Sequence, residues 1–120
     1  MTEFQHQYEL MQWAFAVRKK YPELRMLHHI PNGGTRDPVE AKNLLRAGVK
    51  KGVPDLSLPV ARRGFHGLYI ELKRENGIVS AEQKWWIEEL TAQRYLARVC
   101  FGCREAAKLL EWYLQKEESR

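Results

Sequence analysis

The spacing of hydrophobic and polar residues along the chain predicts four helices and four strands. Apolar residues that recur every three or four positions are typical of amphipathic helices, and short apolar or alternating runs are typical of strands. The predicted helices are 4–20, 38–48, 81–93 and 104–116. The predicted strands are 25–30, 53–60, 68–73 and 95–101. The element order is therefore α-β-α-β-β-α-β-α.

The connections between these elements predict a mixed sheet. The basic turn Arg62-Arg63-Gly64 joins two strands as an antiparallel hairpin. The strand at 68–73 reaches the strand at 95–101 through a helix, a crossover that favours parallel pairing. We therefore expect an α/β fold with a mixed central sheet and helices on both faces. A length of 120 residues suits one domain, which we place at 1–116, with 117–120 as a C-terminal tail.

The net charge of +5 indicates a polyanionic partner such as nucleic acid, because neutralising phosphates releases counterions. The alternative is a basic surface that is merely solvated. The apolar runs are too short to cross a bilayer, and the N-terminus lacks the layout of a signal peptide. We expect no membrane association and a cytoplasmic location.

Two acids and a lysine stand out within the apolar segments. Asp55 opens one strand after Gly52-Val53-Pro54, and Glu71 and Lys73 flank Leu72 in the most apolar strand. Residues at i and i+2 of a strand share a face, so Glu71 and Lys73 project together. An acid inside an apolar strand is uncommon unless it is paired or bound to metal. Two carboxylates and an ammonium suit a divalent metal site that orients water for phosphodiester hydrolysis.

Each part of this set also has an ordinary interpretation. Asp55 alone suits a turn aspartate, and Glu71 with Lys73 suits an exposed ion pair of little energetic weight. Gln83 lies in the first turn of the next helix, where it can reach back towards Glu71 or form a capping box with Ser80. The joint occurrence of these residues is more specific than any one of them.

Further residues could extend the site. Glu3 lies four before Gln7 on the first helix and could add a metal ligand, with Glu9 as the competing acid. The small-residue loop 32–36 and a basic stripe before Asp55 are candidates for phosphate contact. The candidate DNA-binding residues are Asn32, Arg36, Lys42, Arg46, Lys50, Lys51, Arg62, Arg63 and Arg74.

The segments Gly52–Asp55, Glu71-x-Lys73 and Gln83 give the chain a family resemblance. It resembles the VRR-NUC domain, a branch of the PD-(D/E)XK nuclease superfamily, and looks most like compact stand-alone phage and prophage members. The similarity extends from the first helix through 30–34, 48–55 and 66–73 to 99–100 and the last helix. The resemblance implies a restriction-endonuclease-like core and a metal-dependent DNA endonuclease.

The resemblance also implies residue roles. Asp55, Glu71 and the backbone carbonyl of Leu72 would bind Mg²⁺ or Mn²⁺. Lys73 would orient or activate the attacking water and stabilise charge on the phosphate. Gln83 matches the family's active-site glutamine, and Glu3 matches its first-helix glutamate best.

The resemblance to stand-alone members also implies a homodimer that cuts branched DNA such as four-way (Holliday) junctions. It places the protein in a bacterial or phage-infected cell. Two active sites meeting two strands suit a two-fold dimer, with apolar helix faces such as Trp112-Tyr113 available for pairing. Two alternatives stay open. One is a restriction-like or flap-type nuclease, and the other is a non-catalytic DNA-binding module.

Overall fold

The computed structural model describes residues 1–32 and 34–116, and its elements follow the predicted order with one addition. The helices are α1 (Glu3–Ala16), α2 (Pro38–Arg46), α3 (Ala81–Ala92) and α4 (Cys103–Leu114). The strands are β1 (His28–His29), β2 (Leu56–Leu58), β3 (Leu68–Lys73) and β4 (Leu96–Phe101). The addition is a short 3-10 helix, Pro22–Met26, between α1 and β1. The predicted tail, 117–120, lies outside the described residues.

The four strands form one sheet in the order β1-β2-β3-β4. The β1–β2 and β2–β3 pairs are antiparallel, and the β3–β4 pair is parallel. The predicted hairpin and crossover are therefore both confirmed. The register places Leu56 opposite Ile70 and Glu71 opposite Val99.

Side-chain alternation along β3 separates the core from a polar face. Leu68, Ile70 and Leu72 are buried in one hydrophobic core with Leu10 of α1 and Leu110 of α4. The intervening residues of β3 turn to the opposite face, where the first turn of α3 meets them. This alternation removes apolar area from water on one side and leaves the other side for polar chemistry.

Two predicted strands are shorter than expected, for identifiable reasons. Only Leu56–Leu58 pairs in the second strand, because Pro54 and Pro59 flank it and cannot donate to a ladder. The first strand keeps only His28–His29, because residues 25 and 26 complete the 3-10 helix that begins at Pro22. The first helix also ends at Ala16, four residues before the predicted position, and hydrogen-bonded turns follow it.

None of the helices within residues 1–32 and 34–116 combines the length and the apolar character that a membrane span requires.

Candidate active site

Hydrogen bonds on both sides hold Asp55 just before β2. Its carbonyl oxygen accepts a hydrogen bond from the Ile30 N–H at 2.7 Å, and the His29 Nδ1 lies 2.9 Å from the same oxygen. Its Oδ2 accepts the Leu72 N–H at 2.9 Å. The Asp55 side chain therefore continues the β2–β3 pairing beyond Ile70, and its carboxylate is fixed beside β3.

Glu71 and Lys73 lie on one face of β3, as the alternation predicts. Glu71 is 2% exposed and Lys73 is 7% exposed. The Lys73 Nζ is 3.5 Å from Glu71 Oε2. Both side chains are therefore buried, and the interpretation of an exposed ion pair is wrong.

Gln83 makes both of the contacts considered for it. Its Oε1 accepts the Ser80 N–H at 2.8 Å and its backbone N–H donates to the Ser80 Oγ at 3.1 Å, completing a capping box. Its Nε2 donates to Glu71 Oε2 at 3.2 Å. One amide group thus ties the start of α3 to the acid on β3.

The surroundings of Glu71 do not fully offset the negative charge of its ionised carboxylate. Burial, and after it the neighbouring Asp55 carboxylate, raise its pKa to about 8 against the opposing effect of Lys73. Among the described residues, no donor reaches its buried Oε1. Asp55 can supply a hydrogen bond to Glu71 only when the two acids share a proton. One more positive charge at this site would therefore stabilise the ionised form of Glu71.

A hard cation could find oxygen ligands here. The carbonyls of Gly67 and Lys73 accept hydrogen bonds from N–H groups at the two ends of β4. The backbone groups of the odd-numbered residues of β3 therefore point towards β4. Leu72 turns its backbone groups the other way, where its N–H meets Asp55. Because the N–H and C=O of a strand residue point to the same side, the Leu72 carbonyl also faces the Asp55 side.

No group of three or more His, Cys, Asp or Glu side chains with metal-binding proximity occurs in 1–32 and 34–116. The side-chain donors are therefore the two carboxylates, Asp55 and Glu71. The structure does not bring Glu3 to them, since Glu3 is exposed and forms no hydrogen bond with either acid in the described part of the chain. The competing acid also lies elsewhere, because Glu9 Oε2 is 3.8 Å from the Cys103 Sγ at the start of α4.

Most of the candidate DNA-binding residues are exposed, and they lie in segments that precede or follow the acids in the sequence. The loop containing Asn32 leaves the sheet just after Ile30, which contacts Asp55, and α2 has no buried residue. Gly33 within that loop lies outside the described residues. The exposed residues of this group are Asn32, Arg36, Lys42, Arg46, Lys50, Lys51 and Arg74.

Arg62 and Arg63 do not join this group, and their prediction as an extension of the same surface is wrong. They lie in the β2–β3 connection, at the opposite end of β3 from Lys73. Arg62 pairs with Glu23 at 2.7 Å, and the Arg63 guanidinium stacks 4.2 Å from the centre of the Trp112 ring. Both line a cleft of about 880 Å³ that is separate from the acids.

Sequence reasoning missed the contact that joins α1 to this end of the sheet. The buried His6 accepts the Cys103 N–H at 3.0 Å through Nδ1, which places the ring proton on Nε2. The adjacent Gly102 N–H donates to the Lys73 carbonyl at 2.7 Å. The only available signal was the spacing of His6 with Leu10 and Ala14, which puts all three on the buried face of α1.

The raised pKa of Glu71 predicts a pH-dependent stability in metal-free protein. Folded Glu71 holds its proton up to about pH 8, whereas unfolded Glu71 releases it near 4.5. The unfolding free energy should therefore fall as pH rises from about 4.5 to 8, because the unfolded state binds fewer protons. Denaturant midpoints measured in EDTA from pH 5 to 9 should show this slope, and Glu71→Gln should flatten it.

The matched control for that measurement is Glu88→Gln, which alters an exposed glutamate on α3. It should keep the slope of the wild type. Equal slopes in the wild type and Glu71→Gln would show that Glu71 is ionised throughout this range.

Comparison with known proteins identifies the family. The model of the VRR-NUC domain matches residues 3–103. A solved structure described as a VRR_NUC domain protein superposes with a TM-score of 0.81 and 34% sequence identity, covering 95% of this chain and 88% of that one. No match was found among curated proteins. The chain therefore belongs to the VRR-NUC domain family, whose fold and nuclease character confirm the resemblance drawn from the motifs.

Proposed function

We propose that this nuclease domain is a metal-dependent DNA endonuclease. Its active site, which hydrolyses phosphodiester bonds, consists of Asp55, Glu71 and Lys73. The observation that carries the proposal is the buried Glu71 carboxylate, which is held against Asp55 and has one oxygen without a donor. A buried carboxylate beside a second, half-buried carboxylate is uncommon in proteins unless a cation offsets their charge. The donors are all oxygen, which favours Mg²⁺ or Mn²⁺.

Each residue then has a task that follows from its position. Asp55, Glu71 and the Leu72 carbonyl would hold the ion, which would supply positive charge and lower the pKa of a nearby water. Lys73 directs its ammonium into the same site, where it orients the attacking water and offsets charge on the phosphoryl oxygens. Gln83 holds Glu71 in position by its amide hydrogen bond.

Branched DNA, such as a four-way junction, is the proposed substrate, and a homodimer is the proposed active form. Two symmetry-related sites can meet two strands of a junction. The helix α1 offers a surface for pairing, because Phe4, Tyr8 and Phe15 share an outward face and are all more than half exposed. The earlier candidate Tyr113 is unsuitable, since it is fully buried and its hydroxyl donates to the Val60 carbonyl at 2.6 Å.

A charge at the centre of this face should separate the subunits. Tyr8→Glu is expected to shift the solution mass from twice the chain mass to the single-chain 14.2 kDa. Light scattering after size exclusion measures this shift. Val39→Glu, at an exposed apolar position of α2, is the control and should remain dimeric. A dimeric Tyr8→Glu variant would place the interface elsewhere, and a monomeric wild type would refute the dimer.

The function is tested by incubating the wild type with labelled four-way-junction, flap, splayed-arm, duplex and single-stranded DNA. Each reaction contains Mg²⁺, Mn²⁺ or EDTA. We expect cleavage with either metal, none in EDTA, and a preference for the junction. Equal cleavage of all substrates would refute the junction preference, and a preference for flaps or plain duplex would favour the alternative nuclease types. Binding without cleavage under every condition would favour a non-catalytic DNA-binding module.

A further inference from the structure

Two adjacent tryptophans on α3 have different surroundings. The half-buried Trp86 donates its Nε1–H to the Lys51 carbonyl at 3.0 Å and so fastens the loop before Gly52 to α3. Trp85 is 54% exposed. Its ring meets that of Trp86 edge to face, with centroids 5.5 Å apart and planes at 85°. Trp86 therefore supports Trp85 from one side, and the other side of Trp85 is open to solvent.

Trp85 borders a cleft of about 460 Å³ whose chemistry suits a nucleotide. The other lining residues are Lys50, Lys51, Glu82 and Trp86. An indole ring provides a flat surface for stacking a base, and the two lysines provide charge for phosphates. The Glu82 carboxylate can accept a hydrogen bond from a base amine. The volume lies in the range of small-ligand sites in proteins.

Both walls of this cleft lead along the chain to residues of the candidate active site. On one wall, Gly52 packs so closely on Glu82 that a Cβ at residue 52 would lie 2.7 Å from it, and Asp55 follows three residues later. Three residues span at most about 11 Å. On the other wall, Glu82 precedes Gln83, which binds Glu71. DNA held at the acids can therefore extend over Trp85.

We propose that Trp85 stacks on an unpaired base of DNA bound at the active site. The proposal rests on the function proposed above, and it adds a reason for selecting branched substrates. Bases within a duplex are already stacked on their neighbours, whereas a flap, a splayed arm or a single strand offers unpaired bases with a free face. Trp85 thus favours DNA with unpaired nucleotides next to the cleavage site.

The test compares binding of a short labelled single strand and a blunt duplex of the same sequence, both in EDTA so that no cleavage occurs. Trp85→Ala should weaken single-strand binding by roughly tenfold and change duplex binding by less than about twofold. Trp85→Phe, which keeps an aromatic ring, should retain most of the affinity. Trp112→Ala is the matched control, since Trp112 is 42% exposed on α4 beside Arg63, at the far end of the sheet.

Several results would overturn the stacking site. The first is a Trp85→Ala variant that binds single strands with the affinity of the wild type. The second is an equal loss of affinity for both DNAs, and the third is a wild type that binds no single strand. A Trp85→Ala variant with unchanged binding and a smaller solution mass would instead place a second copy of the chain over Trp85. Because these assays need no cleavage, a protein that passes them but never cuts DNA would refute only the proposed catalytic function. A protein that cuts DNA and fails them would refute only the stacking site.

Discussion

Replacing Lys73 with methionine should reduce metal-dependent DNA cleavage by about a hundred- to a thousandfold. Lys73 is the cation aimed at the paired acids, at 3.5 Å from Glu71, and removing one such stabilising group from an active site has an effect of this size. Methionine keeps most of the length of the buried side chain, so the packing around position 73 should be retained. Single-turnover cleavage of the best substrate, with protein in excess, measures the change.

Two comparisons make this result specific to Lys73. Affinity for the same DNA in EDTA should change by less than about threefold, because one buried charge contributes little to a surface that neutralises many phosphates. Lys108→Met removes an exposed lysine from α4 and should cleave as the wild type does. If Lys73→Met cleaved within tenfold of the wild type, Lys73 would have no part in the reaction.

Gly52→Ala should lower the unfolding free energy by about 3 kcal/mol and impair cleavage as well. Gly52 has a φ of +89°, and a Cβ there would lie 2.7 Å from both the carbonyl carbon and the Cβ of Glu82. The substitution combines backbone strain with a steric overlap that only a shift of the loop or of α3 can relieve. Since Asp55 and Gln83 continue these two segments, that shift would move both away from Glu71.

Gly48→Ala separates the two causes. Gly48 also has a positive φ, +107°, but nothing lies within 4 Å of its hypothetical Cβ. This variant should lose about 1–2 kcal/mol from strain alone and should cleave normally. Urea unfolding and cleavage rates of both variants check the difference. Equal losses in the two variants would mean that the close approach of Gly52 to Glu82 has no energetic weight.

The acid–lysine arrangement was predictable because it depends on local geometry. Alternation along Leu68–Lys73 places Glu71 and Lys73 on one face whatever the rest of the chain does. The predicted elements around it also needed only periodicity and the turn chemistry of Pro38 and Ser80. The order of the sheet followed from the length of each connection, since a hairpin pairs antiparallel and a helical crossover pairs parallel.

Contacts between distant residues were not predictable in this way. The hydrogen bond from Cys103 to His6 joins residues far apart in sequence, and nothing in the pattern distinguishes His6 from any other polar residue on α1. Charge alone misassigned Arg62 and Arg63, because basic composition does not indicate which end of a strand a side chain occupies. Exposure of Trp85 depends on how α3 meets the loop before Gly52, which only the tertiary structure reveals.

The central claim is that Asp55 and Glu71 together hold a divalent metal, and Mn²⁺ titration by electron paramagnetic resonance tests it most directly. The wild type and Lys73→Met should each bind Mn²⁺, and Glu71→Gln and Asp55→Asn should each lose that binding. All four proteins should remain folded by circular dichroism. Mn²⁺ binding by Glu71→Gln and Asp55→Asn with the affinity of the wild type would contradict the claim.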